Sequence, residues 1–506
     1  MDESRITGYF KNKSVLITGS TGFLGKILVE KILRVQPDVK KIYLPVRAVD
    51  AAAAKRRVET EVIGKELFGL LKEHHGKGFR SFMDDKVVPL AGDMMHENLG
   101  VDDATLRELT QELNVIVNGA ATTNFYERYD VALAVNVMGV KHLCRLANMC
   151  ANLEVFMHVS TAYVCGERQG VVQERAFREG ETLKEGTYLD VEAELRLVGE
   201  QRQKLLLLEE EGNSKEARKA MKELGLARAR HFGWPNTYVF SKAMGEMMLQ
   251  EQLLMIRRGD GHGVPAVVIA RPSIITSVHK DPLPGWIEGT RTIDAILIGY
   301  AKQSLSCFLA DLDLVMDVVP GDMVVNVMMA AMAAHSEIRS PSVAVYHVTS
   351  SLRHPAAYAV LYRTGMRYFT ENPRVGKDGR AVRTRQVHFF RTIASFRAFM
   401  VVAYKLPLQL LRLLALLTCC FGFGRLLARR YADLSRNYAF VMHLVDLYGP
   451  FSLFKACFDD VNLHNLRLSM APSSSLFNLD PKTIDWDDYF YKIHIPGVIK
   501  YVLKNN

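Results

Sequence analysis

Cysteine is scarce and scattered in this chain of 506 residues: Cys144, Cys150, Cys165, Cys307, Cys419, Cys420 and Cys457. An odd number without metal-site spacing excludes a disulfide-stapled scaffold and a zinc ligand set, and no metal is expected. It reads as reduced thiols in a cytosol-facing protein. Met1 to Ser14 is polar and lacks the apolar core of a signal peptide, so neither a secretory leader nor a plastid location is expected. Long charge-free apolar runs are missing as well. The late stretch Ala398 to Gly424 is rich in Leu, Val and Phe, but Lys405, Pro407 and Arg412 interrupt it. Its longest uncharged run, Leu413 to Gly424, has twelve residues, against the roughly 20 that a bilayer span needs. Acids nearly vanish from Arg353 to Arg430, where fifteen Lys and Arg face only Glu371 and Asp378. That segment carries +13 of a whole-chain +9, so everything else sums to −4. The basicity belongs to one late region. Nucleic acid or an anionic membrane surface could meet it. The chain has no internal repeat and no low-complexity tract.

What is present begins with Val15, Leu16 and Ile17, a short apolar run of the buried-strand type. Gly19, Gly22 and Gly25 follow at three-residue spacing, and Lys26 to Val35 reads as a helix. Between a strand and a helix, the first glycine permits a tight turn. The second lets backbone approach a pyrophosphate, and the third lets the helix pack on the sheet. The helix N-terminus would offer free N–H groups and a positive dipole end to phosphates. Thr18, Thr21, Phe23 and Leu24 complete this candidate cofactor loop.

Further strands are expected at Lys41 to Val46, Lys86 to Ala91, Val115 to Val117, Val155 to Val159, Val264 to Ala270 and Val343 to Thr349, with Val318 to Val325 resuming the fold. Ala51 to Lys77 is mostly helical in pattern. Alternation of strands and helices argues for an α/β, doubly wound parallel sheet, whose ligands bind beyond the strands' carboxyl ends. Arg47 stands at the second strand end, where an NAD enzyme usually carries an acid. Arg suits a 2′-phosphate, which favours NADPH. Asp93 could meet the adenine edge, and Ala120 leaves room for a cofactor. Asn136, on the following helix, is a candidate polar anchor for a buried water and is counted with the cofactor-binding residues. Pro272 turns the chain near the nicotinamide. Trp286, in the loop Asp281 to Gly289, suits the lining of a substrate mouth.

Gly166 to Arg230 is charged and helix-prone and reads as a solvated helical hairpin inserted in the domain. Beyond it, Trp234-Pro235-Asn236-Thr237 opens a helix carrying Tyr238 and Lys242 on one face. A phenol normally titrates near 10, and a neighbouring ammonium lowers that value. Lys242 can also hold a nicotinamide ribose, and Thr161 supplies a hydroxyl to orient a substrate carbonyl. Tyr9 and Lys13 match the same spacing but precede the first strand and cannot reach the sheet's carboxyl edge.

The motifs Thr-Gly-Ser-Thr-Gly-Phe-Leu-Gly (18–25), Val-Ser-Thr-Ala-Tyr-Val (159–164), Gly-Trp-Pro-Asn-Thr-Tyr-Val-Phe-Ser-Lys-Ala (233–243), Arg-Pro-Ser (271–273) and Pro-Gly-Trp-Ile (284–287) share a pattern with Ile-Asp-Trp-Asp-Asp-Tyr (484–489) and His-Ile-Pro-Gly-Val (494–498). Together they resemble the alcohol-forming fatty acyl-CoA reductases of the plant type, over almost the whole chain. The first motifs are common to extended short-chain dehydrogenases; the Trp-Pro-Asn-Thr-Tyr context and the C-terminal motifs are more specific. The resemblance implies a Rossmann-like reductase domain over 1–350 with an insertion at 166–230, and a mainly helical male-sterility domain over 437–506. Residues 351–436 would be a basic and apolar linker lying on a membrane. It implies Thr161, Tyr238 and Lys242 as catalytic residues and Gly19, Gly22 and Gly25 as the cofactor loop. The implied reaction takes a long-chain acyl-CoA and two NADPH to a primary alcohol and CoA, in wax and lipid-barrier synthesis. A cytosol-facing endoplasmic reticulum membrane is the expected site, with no nucleic-acid partner. Gly321 departs from the apolar residue or Ala expected in relatives. The rival readings are an epimerase, an aldehyde-forming thioester reductase and a catalytically silent NADPH-binding regulator. The epimerase fits poorly with Arg47 and with the basic, apolar C-terminal region.

Overall fold

Seven runs rich in Val, Ile and Leu form one sheet in a computed structural model, which describes residues 1–210, 213–256, 265–290, 292–337, 343–375, 379–418, 422–470 and 476–503. The strands are β1 (Ser14–Thr18), β2 (Lys41–Val46), β3 (Val87–Ala91), β4 (Leu113–Asn118), β5 (Val155–Val159), β6 (Ala266–Pro272) and β7 (Val343–Val348). All pair in parallel, in the order β7-β6-β5-β4-β1-β2-β3. Strands covered on both faces need apolar residues throughout, and all five side chains of β1 and all seven of β6 are buried. The order reverses between β1 and β4, which opens a crevice at their carboxyl ends.

The expected strands are present with end shifts of one or two residues, and Val264 lies outside the described residues. Two expectations need correction. In 318–325 only Val318–Pro320 is extended; Gly321–His335 is a helix. The inserted segment holds the expected helices Val191–Glu210 and Ser214–His231, but its first part carries a short strand, Gly170–Val172. Gly321 has a packing reason. A Cβ there would lie 2.8 Å from a Phe23 ring carbon and 2.9 Å from Ile27 Cδ1, so a larger residue would require those side chains to shift.

The chain divides into two units that do not follow linear boundaries. The first comprises 1–288, 317–354 and 456–484; the second comprises 289–316, 355–455 and 485–506. Strand pairing explains part of this division, because Ala456–Phe458 runs beside Gly170–Val172 and draws 456–484 into the first unit.

The second unit is mainly helical. Ile393–Leu417 is one long apolar helix, followed by Gly422–Ser452; Cys419 and Cys420, inside the uncharged run 413–424, lie outside the described residues. Within 406–417 only Leu408 and Ala415 are buried, two turns apart on one line. Leu406, Leu410, Leu413, Leu414, Leu416 and Leu417 are all more than half exposed.

Candidate active site

β1 ends at Thr18, and the chain turns through Gly19 to Gly22 into the helix Phe23–Val35. Gly19 has φ +74°, a conformation open to glycine. A Cβ on Gly19 would lie 2.7 Å from the Ala120 nitrogen, and one on Gly25 would lie 2.3 Å from the Gly19 oxygen. Turn, helix start and the loop after β4 therefore meet at backbone distance. Gly22 is exposed instead and stands at the helix N-cap, where no side chain caps the helix. The first-turn N–H groups, with about half a positive charge from the helix dipole, face outward from a glycine cradle. This cradle fits the pyrophosphate of a dinucleotide.

Thr21 and Leu24 are half-buried in the same turn, whereas Phe23 points inward and stacks on Trp286 at 5.2 Å. Trp286 is buried, which corrects its placement at a substrate mouth: it is a wall behind the cofactor helix. Thr18 is also spent internally. Its Oγ1 accepts from the Gly119 and Ala120 nitrogens at 3.2 Å each and lies 3.2 Å from Asn118 Oδ1, bracing the ends of β1 and β4. Arg47 is exposed at the end of β2. Asp93 is half-buried beyond β3, with Oδ1 accepting from the Met95 nitrogen at 3.0 Å.

Asn236 starts the helix Thr237–Ile256, its Oδ1 accepting from the Val239 nitrogen at 3.1 Å. A buried ion pair fixes that helix to the sheet. Arg271 at the end of β6 donates through Nε to Glu246 Oε1 at 2.9 Å and through Nη2 to Oε2, and its Nη1 lies 3.2 Å from His347 Nε2. Lys242, one turn before Glu246, is thereby held against β5. Its Nζ donates to the Val159 carbonyl at 2.6 Å, two residues before Thr161. Burial pushes the Lys242 ammonium down to about 8, and the Glu246 carboxylate opposes the shift. Tyr238 is half-buried and stacks on Phe125 at 5.8 Å with rings 9° from parallel. Thr161 Oγ1 accepts from the Tyr163 nitrogen at 3.3 Å and donates to the Pro272 carbonyl at 3.4 Å. The ends of β5 and β6 are thus linked at the crevice.

Asn136 serves the protein itself. Its Oδ1 accepts from the Thr122 nitrogen at 3.1 Å, and its Nδ2 donates to Ser241 Oγ at 2.9 Å and the Thr122 carbonyl at 3.1 Å. It ties the loop after β4 to the helix of Tyr238.

Sequence reasoning missed His158 and Phe125. His158 is fully buried on β5, with Nδ1 3.1 Å from Asn118 Nδ2 and Nε2 3.4 Å from Lys242 Nζ. A histidine inside an apolar strand was its available signal, since a buried polar group needs partners. Phe125 lies in a loop with no periodicity, and nothing in the sequence marked it.

Profiles of the male sterility protein family match residues 17–328 and 403–505. The chain is 43% identical to a probable fatty acyl-CoA reductase 4 of Arabidopsis thaliana, over 99% of this chain and 100% of the relative. It is 42% identical to an alcohol-forming fatty acyl-CoA reductase of Simmondsia chinensis, over 98% and 99%. Among solved structures, the terminal R domain of the myxalamid PKS-NRPS pathway has a TM-score of 0.54 at 16% identity, over 95% of this chain and 90% of that one, which shows a shared fold. With full-length identities of 42–43% to these reductases and the first profile spanning more than half its residues, the chain belongs to the fatty acyl-CoA reductase family.

Proposed function

We propose that the chain reduces long-chain fatty acyl-CoA to the primary alcohol with two NADPH, through an aldehyde that stays bound between the steps. The observation that carries this reading is the placement of Lys242, anchored on the Val159 carbonyl beside Thr161 and one helical turn from Tyr238. NADPH, when bound, supplies one hydride to the thioester carbonyl carbon and a second to the aldehyde carbon. The glycine turn 19–25 receives the pyrophosphate, and Arg47 is the cation offered to a 2′-phosphate. Tyr238 donates a hydrogen bond to the carbonyl oxygen as negative charge develops on it, and Thr161 joins it by turning its single O–H away from the Pro272 carbonyl. The carbon–sulfur bond then breaks, and CoA leaves as thiolate. In the second step Tyr238 gives its proton to the alkoxide oxygen, and Lys242, still charged at neutral pH, holds the phenol acidic. The balance is acyl-CoA, two NADPH and two protons to alcohol, CoA and two NADP.

The test is product analysis with purified protein, palmitoyl-CoA and NADPH. The expected result is hexadecanol with two NADPH consumed per CoA released. Aldehyde accumulating without alcohol would replace this reading with an aldehyde-forming one.

We also infer that the second unit rests on a membrane, at the cytosolic face of the endoplasmic reticulum. The support is the exposed leucine surface of 406–417 with Lys405, Arg412, Arg425, Arg429 and Arg430 around it. Leucine then enters the acyl boundary and the basic residues meet anionic headgroups. Residues 351–436 would carry this contact, with the chemistry kept in 1–350.

A further inference from the structure

Four buried side chains, Thr18, Asn118, His158 and Lys242, form a line from the end of β1 across β4 and β5 to the helix of Tyr238. Thr18 Oγ1 lies 3.2 Å from Asn118 Oδ1, Asn118 Nδ2 lies 3.1 Å from His158 Nδ1, and His158 Nε2 lies 3.4 Å from Lys242 Nζ. Of the four, only the lysine has a part in the chemistry above.

The direction of this line follows from its donors and acceptors. A hydroxyl has one proton and two lone pairs. The Gly119 and Ala120 N–H groups, each 3.2 Å away, take both lone pairs of Thr18. Its proton then goes to Asn118 Oδ1, because the Val117 carbonyl is farther, at 3.4 Å. Turning the Asn118 amide over would aim a third N–H at a hydroxyl already full, and the partners of an amide decide which end is oxygen. With Oδ1 held by Thr18, Nδ2 donates to His158, and Nδ1 of that ring carries the lone pair. The ring is neutral, since burial and the charges of Lys242 and Arg271 hold its pKa well below the usual imidazole range. A neutral imidazole has one N–H, and here it sits on Nε2, facing Lys242.

An N–H in that place treats the two forms of Lys242 unequally. The amine has a lone pair and accepts from it. The ammonium has none and is opposed by it. Burial of Lys242 acts in the same direction, whereas the Val159 carbonyl and Glu246 favour the ammonium. Arg271, the other nearby cation, is paired with Glu246 through two hydrogen bonds, and its Nη1 faces His347.

We propose that His158 is a positioning residue for the reduction: Thr18 and Asn118 fix its Nε2–H on Lys242 Nζ, where it favours the amine and so sets the charge that Lys242 brings to Tyr238. The proposal rests on the reductase reading above for the role of Lys242.

The experiment follows kcat/KM for palmitoyl-CoA from neutral to strongly basic pH in the parent, His158→Leu, Asn118→Asp and the double variant. Leucine removes the N–H, so the basic limb, where Lys242 loses its proton, is expected to move up by about half a pH unit or more, the size of one hydrogen bond. Asn118→Asp offers a carboxylate to Nδ1, which draws the ring proton there and turns the Nε2 lone pair toward the ammonium. The limb should rise further. In the double variant the carboxylate has no ring to act through, and the limb should stay where His158→Leu puts it. A limb that His158→Leu leaves in place or moves down overturns the proposal. So does an effect of the new carboxylate that survives without His158.

Histidine labelled with nitrogen-15 gives a readout that does not depend on turnover, with His158 assigned by its loss in His158→Leu. The expected spectrum at neutral pH has the proton on Nε2, and the Nε2 signal follows the titration of Lys242. Asn118→Asp should move the proton to Nδ1, which keeps the test open if His158→Leu does not fold. A parent ring protonated on Nδ1 overturns the proposal whatever the kinetics show. A folded parent that makes no alcohol sinks the reductase reading, and the site of the ring proton then still decides whether His158 acts on Lys242.

Discussion

Lys242 Nζ donates to the carbonyl of Val159 at 2.6 Å, an interaction between residues 83 positions apart that joins the helix of Tyr238 to the end of β5. Lys242 is only 2% exposed, so its charge rests on that carbonyl and on Glu246 one turn away. His158 stands beside it as a neutral ring, since burial and the charges of Lys242 and Arg271 hold its pKa well below the usual imidazole range.

The first expected outcome is a basic limb in the pH profile. An unfolded lysine titrates near 10.4, while burial brings Lys242 down to about 8. Between these values the unfolded chain binds more protons. The buried charge therefore opposes folding fully below pH 8 and is relieved as pH rises. Activity follows the opposite direction, because the neutral amine no longer favours the phenolate. We expect kcat/KM to fall above about pH 8 and the fall to disappear in Lys242→Met, whose residual rate is low and flat. A parent profile flat to pH 10 would remove Lys242 from the chemistry.

Tyr238→Phe removes the proposed acid while keeping the ring that stacks on Phe125. Turnover should drop about a hundredfold or more, the scale of lost general-acid catalysis. NADPH binding, read by fluorescence titration, should persist. Unchanged turnover would favour the silent NADPH-binding regulator.

Gly25→Ala places a Cβ 2.3 Å from the Gly19 oxygen. Backbone cannot move aside as a flexible side chain can, so the turn must open. NADPH affinity should weaken by tenfold or more, roughly 1.4 kcal/mol, while circular dichroism keeps its parent shape. Parent affinity in a folded variant would place the pyrophosphate elsewhere.

The leucines at 410, 413 and 417 are 62%, 53% and 70% exposed. Replacing all three by glutamate should leave stability within about 1 kcal/mol, as for surface changes away from packed sites, and abolish flotation with anionic liposomes. Retained flotation would exclude this face as the membrane contact.

By itself the sequence determined the sheet, the glycine turn, and Tyr238 with Lys242 on one helical face. Each of these is a local matter: apolar runs, backbone space, and a four-residue period that neighbours in the chain dictate. The side chains of Thr18 and Asn136 form hydrogen bonds with residues about a hundred positions away or across a loop. Only the tertiary structure could decide that. It also decided that Trp286 is buried against Phe23, that His158 lies beside Lys242, and that Gly321 yields to a ring from another helix.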